Sequence, residues 1–146
     1  MGLFNSFNVS ASGMTAQRFR MDVITENVAN VNTTRTEDGT PYRRKMVVFA
    51  EKPVTPFSSV LATARGKYTG SGVKVTRVAE DYKEDMIMAY DPSHPDADEN
   101  GYVTYPNVNI ITEMTNLIDA SRSFEANVTA FDTSKAMAAK ALTIGE

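Results

Sequence analysis

The forty residues from Asn107 to Glu146 constrain the fold more than any other stretch. Ile110, Leu117, Phe124, Phe131 and Ala138 recur every seven residues, and a second line holds Met114, Ser121, Val128, Lys135 and Leu142. At ~3.6 residues per turn both lines lie on one side of a helix. No proline follows Pro106, and the only glycine is Gly145, where a helix could stop. A helix of this extent is roughly 55 Å long at ~1.5 Å per residue. A chain of 146 residues cannot enclose such a rod, so the helix is expected to need partners.

Residues 4–34 mirror this pattern. Phe7, Met14, Met21 and Val28 are seven apart, with Ile24 and Val31 beside the last two. Ser6, Ser10 and Ser12 are the candidate caps. Gly13 marks either a weak point or the close approach of another backbone. The polar cluster Asn27, Asn30, Asn32, Thr33 and Thr34 should end the helix. Both terminal segments are rich in Ser, Thr and Asn, which compete with their own backbone for hydrogen bonds. Such helices should be marginal alone and stabilised by packing, with ends that fray in a free chain.

Between them the texture changes. TEDGT (residues 36–40) signals a turn, PYRRKMVVFAEK a strand ending at Pro53, GVKVTRV a clean alternation, and KEDMIMAY a further short strand. The stretch 54–72 reads as loop or weak strand. The expected fold is α+β: long terminal helices paired as an antiparallel hairpin, with a small β-rich domain inserted between them. The expected segments are 1–35, 36–106 with an acidic loop at 91–101, and 107–146.

Charge excludes some functions. The three segments carry three basic and two acidic, nine and eleven, and three and five side chains. None is strongly basic, which disfavours nucleic acid as the partner. The absence of cysteine removes disulfides and thiolate chemistry. No apolar run of ~18 residues exists, so no membrane insertion is expected. The N-terminus lacks the basic start and apolar run of a cleaved signal peptide.

Candidate sites for chemistry are weak. Asp96, Asp98, Asn100 and Gly101 fall at the first, third, fifth and sixth positions of a calcium loop, but Asn107 stands where a bidentate Glu belongs. A tight turn with local Asx bonds is the better reading. His94 is the only histidine, and no nucleophile or acid is picked out beside it. No cofactor is expected. Arg43, Arg44 and Lys45 alternate faces in a strand and read as surface charge balance or a subunit salt bridge. Asp119, Arg122 and Glu125 are three apart and can pair along the C-terminal helix.

Three stretches resemble the axial proteins of the bacterial flagellum, the rod and hook family, and within it the proximal rod. The first is ASGMTAQRFRMDVITENVANVNTT (11–34), with Asn27, Val28, Ala29, Asn30 and Thr33 in the family's N-[IV]-A-N-x-x-T element. The second is GTPYRRKMVVF (39–49). The third is DPSHPDADENGYVTYPNVNIITEMTNLIDASRSFEANV (91–128), which carries Glu113, Met114, Arg122, Glu125 and Asn127. The resemblance implies a structural, non-enzymatic subunit with a D0-like helical core, exported by the flagellar type III apparatus without cleavage. It would be part of the basal-body rod that crosses the periplasm and transmits torque. Its partners would be itself, other rod subunits and the adaptor at the rod base. The residues expected to pack within and between subunits are Phe7, Met14, Met21, Ile24, Val28, Val31, Ile110, Leu117, Ile118, Phe124, Val128, Phe131 and Leu142. The competing reading is a cytoplasmic or periplasmic helical adaptor that binds a single partner.

Overall fold

Two long helices dominate the computed structural model, which describes residues 3–53, 61 and 70–143, with side chains from Asn5 onward. Helix α1 spans Leu3–Ala29 and helix α2 spans Ile110–Thr143. Their Ser, Thr and Asn residues are accommodated by bonding back along the helix. Thr15 Oγ1 donates to the Ala11 carbonyl at 3.0 Å and Thr25 Oγ1 to Met21 at 2.9 Å. On α2, Thr115, Thr129 and Thr133 make the same bond to the carbonyl four residues earlier at 2.8–3.0 Å. Such bonds satisfy a hydroxyl at slight cost to helix stability.

The serine caps expected for α1 lie inside it, because the helix already begins at Leu3. Ser12 Oγ instead donates to Val9 O at 2.7 Å and accepts the Val73 N–H at 3.1 Å. At the other end the polar cluster does terminate the helix: Ala29 is its last residue, and Thr33 N–H bonds Asn30 O at 3.1 Å. Helix α2 starts at Ile110, the first residue of the seven-residue line and three residues into the expected segment 107–146. Asn109 caps it, its Oδ1 accepting the N–H groups of Ile111 and Thr112 at 3.0 and 3.2 Å.

Among the described residues the β structure is two small sheets. Strands β1 (Lys45–Glu51) and β2 (Val73–Glu80) pair in one, and β3 (Ile87–Tyr90) and β4 (Tyr102–Tyr105) pair antiparallel in the other. The second register sets Ile87 opposite Tyr105 and Tyr90 opposite Tyr102. Strand β4 follows directly on the acidic loop at 91–101, inside the twelve positions of the calcium reading that starts at Asp96. Its Tyr-Val-Thr-Tyr alternation after Asn100-Gly101 is a hairpin signal that the calcium reading obscured. The TEDGT turn forms as expected, with Gly39 at φ 76° and its N–H on Thr36 O. Most of the stretch 54–72, expected to be loop or weak strand, lies outside the described residues.

The chain folds as two compact units that cut across the expected segments. The first comprises residues 1–19, 48–77 and 120–146, and the second residues 20–47 and 78–119. In the first, Phe7 and Phe131 meet with ring centroids 5.1 Å apart. Gly13 faces Asn127, so a Cβ there would come within 2.6 Å of its Oδ1. The close approach anticipated at Gly13 is therefore made by a side chain. The buried apolar residues of this unit include Ala16 and Ala120. In the second unit, Val23, Ile24, Tyr42, Val103 and Val108 form the core.

Candidate functional site

The interior of the second unit is polar at its centre. Asn27 is fully buried on α1, one helical turn beyond Val23 and Ile24. All four hydrogen-bonding valences of its amide are used. Its Nδ2 donates to Lys45 O at 2.8 Å and to Glu113 Oε2 at 2.9 Å. Its Oδ1 accepts from the Tyr42 hydroxyl and from Lys45 N–H, both at 2.9 Å.

Glu113, in the first turn of α2, is 1% exposed. Its Oε1 receives Arg44 Nε at 3.0 Å and Nη2 at 2.8 Å. The remaining arm of Arg44 reaches Asp81 Oδ2 at 3.1 Å, and Arg44 N–H donates to Asn107 Oδ1 at 2.9 Å. Asn107 Nδ2 then bonds the carbonyls of Asp81 and Glu84 at 2.9 and 3.1 Å. One connected network thus joins the end of α1, the start of β1, the segment after β2 and the start of α2. Buried ions need such complete pairing, since each would otherwise carry the full cost of desolvation.

Electrostatics follow the geometry. The Asp81 carboxyl is held below its ordinary value, chiefly by the Lys83 N–H at 3.0 Å and then by Arg44, against the opposing effect of burial. Burial pushes the Tyr42 hydroxyl up, with help from Glu26 and Glu113, so it stays a donor to Asn27. For Arg44, burial pulls the value down, but Glu113 and Asp81 outweigh it and leave the guanidinium raised.

Arg44 is therefore an internal residue, which corrects its reading as surface charge; its 17% side-chain exposure leaves little for a neighbour to meet. Lys45 pairs with Glu26 at 2.6 Å, and Arg43 stacks 4.3 Å over the Tyr82 ring. The network was missed because it joins residues 27, 44, 81, 107 and 113, which no local window spans. The signals available were Asn27 and Glu113, both singled out by the family resemblance alone.

The acidic loop behaves as a turn. Asp98 Oδ1 accepts the N–H groups of Asn100 and Tyr102 at 2.9 and 2.8 Å, and Gly101 adopts φ 79°. Asp91 Oδ1 accepts from Ser93 N–H at 3.0 Å. Asp96 turns instead to Thr34 Oγ1 at 2.8 Å and to Arg35 at 3.6 Å. Asp96 and Asp98 thus bond different partners, and no group of three or more His, Asp or Glu side chains that could hold a metal ion occurs among the described residues. His94 Nδ1 accepts the Asp96 N–H at 3.1 Å and its ring meets Tyr105.

The residues expected to pack divide into two sets. Met14, Met21, Val28, Val31, Leu117, Phe124 and Val128 are half-buried like Phe7 and Phe131, and Ile24 is buried. Ile110, Met114, Ile118 and Leu142 are exposed, as are Ile111 and Met137. Of the remaining family positions, Ala29, Arg122 and Glu125 are exposed, while Asn30, Thr33 and Asn127 are half-buried. No ion pair joins Asp119, Arg122 and Glu125 among the described residues.

Asn27, Asn107 and Glu113 of the buried network, and the exposed side of α2, lie in the two regions that family models match, while Arg44 and Asp81 lie between those regions. The model described as "Flagella basal body rod protein" covers residues 7–35, and "Flagellar basal body rod FlgEFG protein C-terminal" covers residues 99–144. A flagellar basal-body rod protein FlgC of Bacillus subtilis is 47% identical over 100% of both chains. The FlgC protein of Borreliella burgdorferi is 45% identical over 99% of this chain and 98% of its own. That of Escherichia coli O157:H7 is 42% identical over 100% of both. The chain belongs to the FlgC family of flagellar basal-body rod proteins. Within that family the network takes on a structural meaning. Asn27 sits in the first matched region and Glu113 in the second, and they bond directly. No described helix is long and apolar enough to cross a membrane.

Proposed function

We propose that the chain is a structural subunit of the flagellar basal-body proximal rod, built into the shaft through its terminal helices. The helices pair as an antiparallel, D0-like hairpin around a smaller β-rich part. Within the first unit, Phe7 opposes Phe131 while Gly13 opposes Asn127, so the partner number falls as the first rises. The Asn27–Glu113 bond in the second unit supports the same sense. The observation that carries assembly is the exposed apolar surface of α2, where Ile111 and Leu142 are 77% and 81% exposed. Burying such a side chain is worth ~1.5–3 kcal/mol, and a growing rod provides the surface that does so. Contacts between unlike faces do not close and extend into a filament.

Other rod subunits and the rod-base adaptor are the proposed neighbours, in a rod that spans the periplasm and transmits torque. Loosely packed helix ends suit passage through the type III apparatus without a cleaved signal. The single-partner adaptor is the lesser reading, because relatives aligned end to end bear rod names. The test uses two variants. Phe124→Asp disrupts the hairpin, and Ile118→Asp alters only an exposed residue. Both should be exported yet missing from purified basal bodies, with swimming lost. Normal incorporation of either would count against assembly through these faces.

A further inference from the structure

The chain has no cysteine, so its eight methionines hold all of its sulfur. Peroxides convert a thioether to a sulfoxide, which is polar where the thioether was apolar. The oxidant must reach the sulfur, so exposure decides which methionine reacts first. Among the described residues Met14, Met21, Met46 and Met86 are half-buried, while Met88, Met114 and Met137 are exposed.

The exposed sulfurs differ in what surrounds them. Met114 is 55% exposed on α2. Ile110 and Ile118 stand four residues to either side of it and Ile111 three before it, so the four share one side of the helix. All four are exposed and belong to the second unit. Met114 therefore sits in the middle of an uncovered apolar stripe. Met137 is 58% exposed, but Thr133, Ser134, Lys140 and Ala141 occupy the same spacings around it. A polar group there changes little. Met88 lies on β3, away from both stretches in sequence.

Resting on the rod-subunit reading, we propose that Met114 is a redox-sensitive site of assembly. Oxidation of the free subunit by a peroxide blocks its incorporation, and a neighbour covering the stripe shields the sulfur once the subunit is built in. In the reaction the sulfur lone pair attacks one peroxide oxygen and the O–O bond breaks. That oxygen stays on sulfur, and the other leaves as hydroxide and is protonated to water. Sulfur loses two electrons and the peroxide gains them. Unmodified, the flexible thioether packs against varied apolar surfaces. The sulfoxide oxygen must instead be taken out of water among three isoleucine side chains, none of which can donate a hydrogen bond to it.

The test treats the free full chain and purified basal bodies with hydrogen peroxide and maps oxygen addition at each methionine by mass spectrometry. In the free chain Met114 should oxidise several-fold faster than Met14, Met21 or Met46. In basal bodies it should be protected by about tenfold relative to the free chain. Met114→Gln places a polar group there without any oxidant. It should keep the wild-type circular dichroism yet fall to about a tenth of the wild-type level in basal bodies, whereas Met114→Leu and Met137→Gln should incorporate normally. Equal oxidation of Met114 and Met14 in the free chain would overturn the proposal, as would equal oxidation of Met114 in free and assembled forms. So would normal incorporation of Met114→Gln, or an equal loss in Met114→Leu or Met137→Gln. Each of these results leaves the rod reading standing. Absence of the wild-type chain from basal bodies would sink that reading instead.

Discussion

Glu113→Gln is the sharpest probe of the buried network. The substitution keeps the shape but removes the charge and gives the side chain a donor. With its oxygen towards Arg44, the new amide nitrogen faces Asn27 Nδ2, and two donors meet where a 2.9 Å bond stood. With the amide turned over, donors face the guanidinium that now bonds Oε1 at 2.8 and 3.0 Å. Neither arrangement satisfies both partners. Hydrogen bonds to a charged group contribute ~1.5–3 kcal/mol against ~1 for neutral ones, and an orphaned buried donor costs ~1–3. Breaking a buried pair costs ~3–5 kcal/mol, and Asp81 still holds one arm of Arg44 at 3.1 Å, so the lower end applies. The expected loss is about 3 kcal/mol of a total stability of ~5–15. With an m-value of ~2 kcal/mol/M, the urea midpoint should fall by about 1.5 M at unchanged slope. In a cycle with Arg44→Met, the double variant should lose at least ~1.5 kcal/mol less than the sum of the singles. A midpoint shift below about 0.5 M, or an additive cycle, would refute the claim that these groups act as one unit.

Three further outcomes are expected. Asp81 has a folded value below its ordinary 3.8, so its contribution is fully present above that pH and is lost as pH falls through the lower folded value. The stability gap between wild type and Asp81→Asn, measured by urea titration, should therefore shrink between pH 5 and 2; a constant gap would argue against the linkage. Gly13→Ala should be near neutral, because the ~1 kcal/mol helix gain is offset by displacing Asn127, and Gly13→Ala with Asn127→Ala should melt higher than Asn127→Ala alone. Hydrogen exchange on the free chain should be slow at Val23–Asn27 and Glu113–Ala120, and fast over the first turns of α1 and over residues 125–143. Uniform protection along both helices would contradict ends that order on assembly.

The helices were readable because apolar residues repeat along them, β2 because its residues alternate, and β1 and β3 because short apolar runs lie beside turn residues. Helix boundaries depended on capping chemistry. Asn109 was hidden among neighbouring asparagines, and the serines proposed as caps bond elsewhere because the first turn begins before them. Apolar periodicity on α1 picked out part of its buried surface. Phe7, Met14, Met21 and Val28 are half-buried and Ile24 is buried, but Ala16, Val23 and Asn27 beside them are buried as well. Small and polar residues score poorly in an apolar count, yet they permit close approach and long-range hydrogen bonds. The Arg44–Glu113 pair spans 69 positions, so only the fold could bring it together.

The back-bonded threonines of α2 have one more consequence. Thr115, Thr129 and Thr133 are exposed, and each has already given its hydroxyl proton to its own helix. What they offer a neighbour is a methyl group and an oxygen that can remain without a donor at modest loss. A helix laid against this side need not supply matching polar groups at fixed heights. Such a surface tolerates sliding and rotation of the partner in small steps, as a shaft flexing under load requires, at a smaller desolvation cost than threonines with free hydroxyl protons would carry.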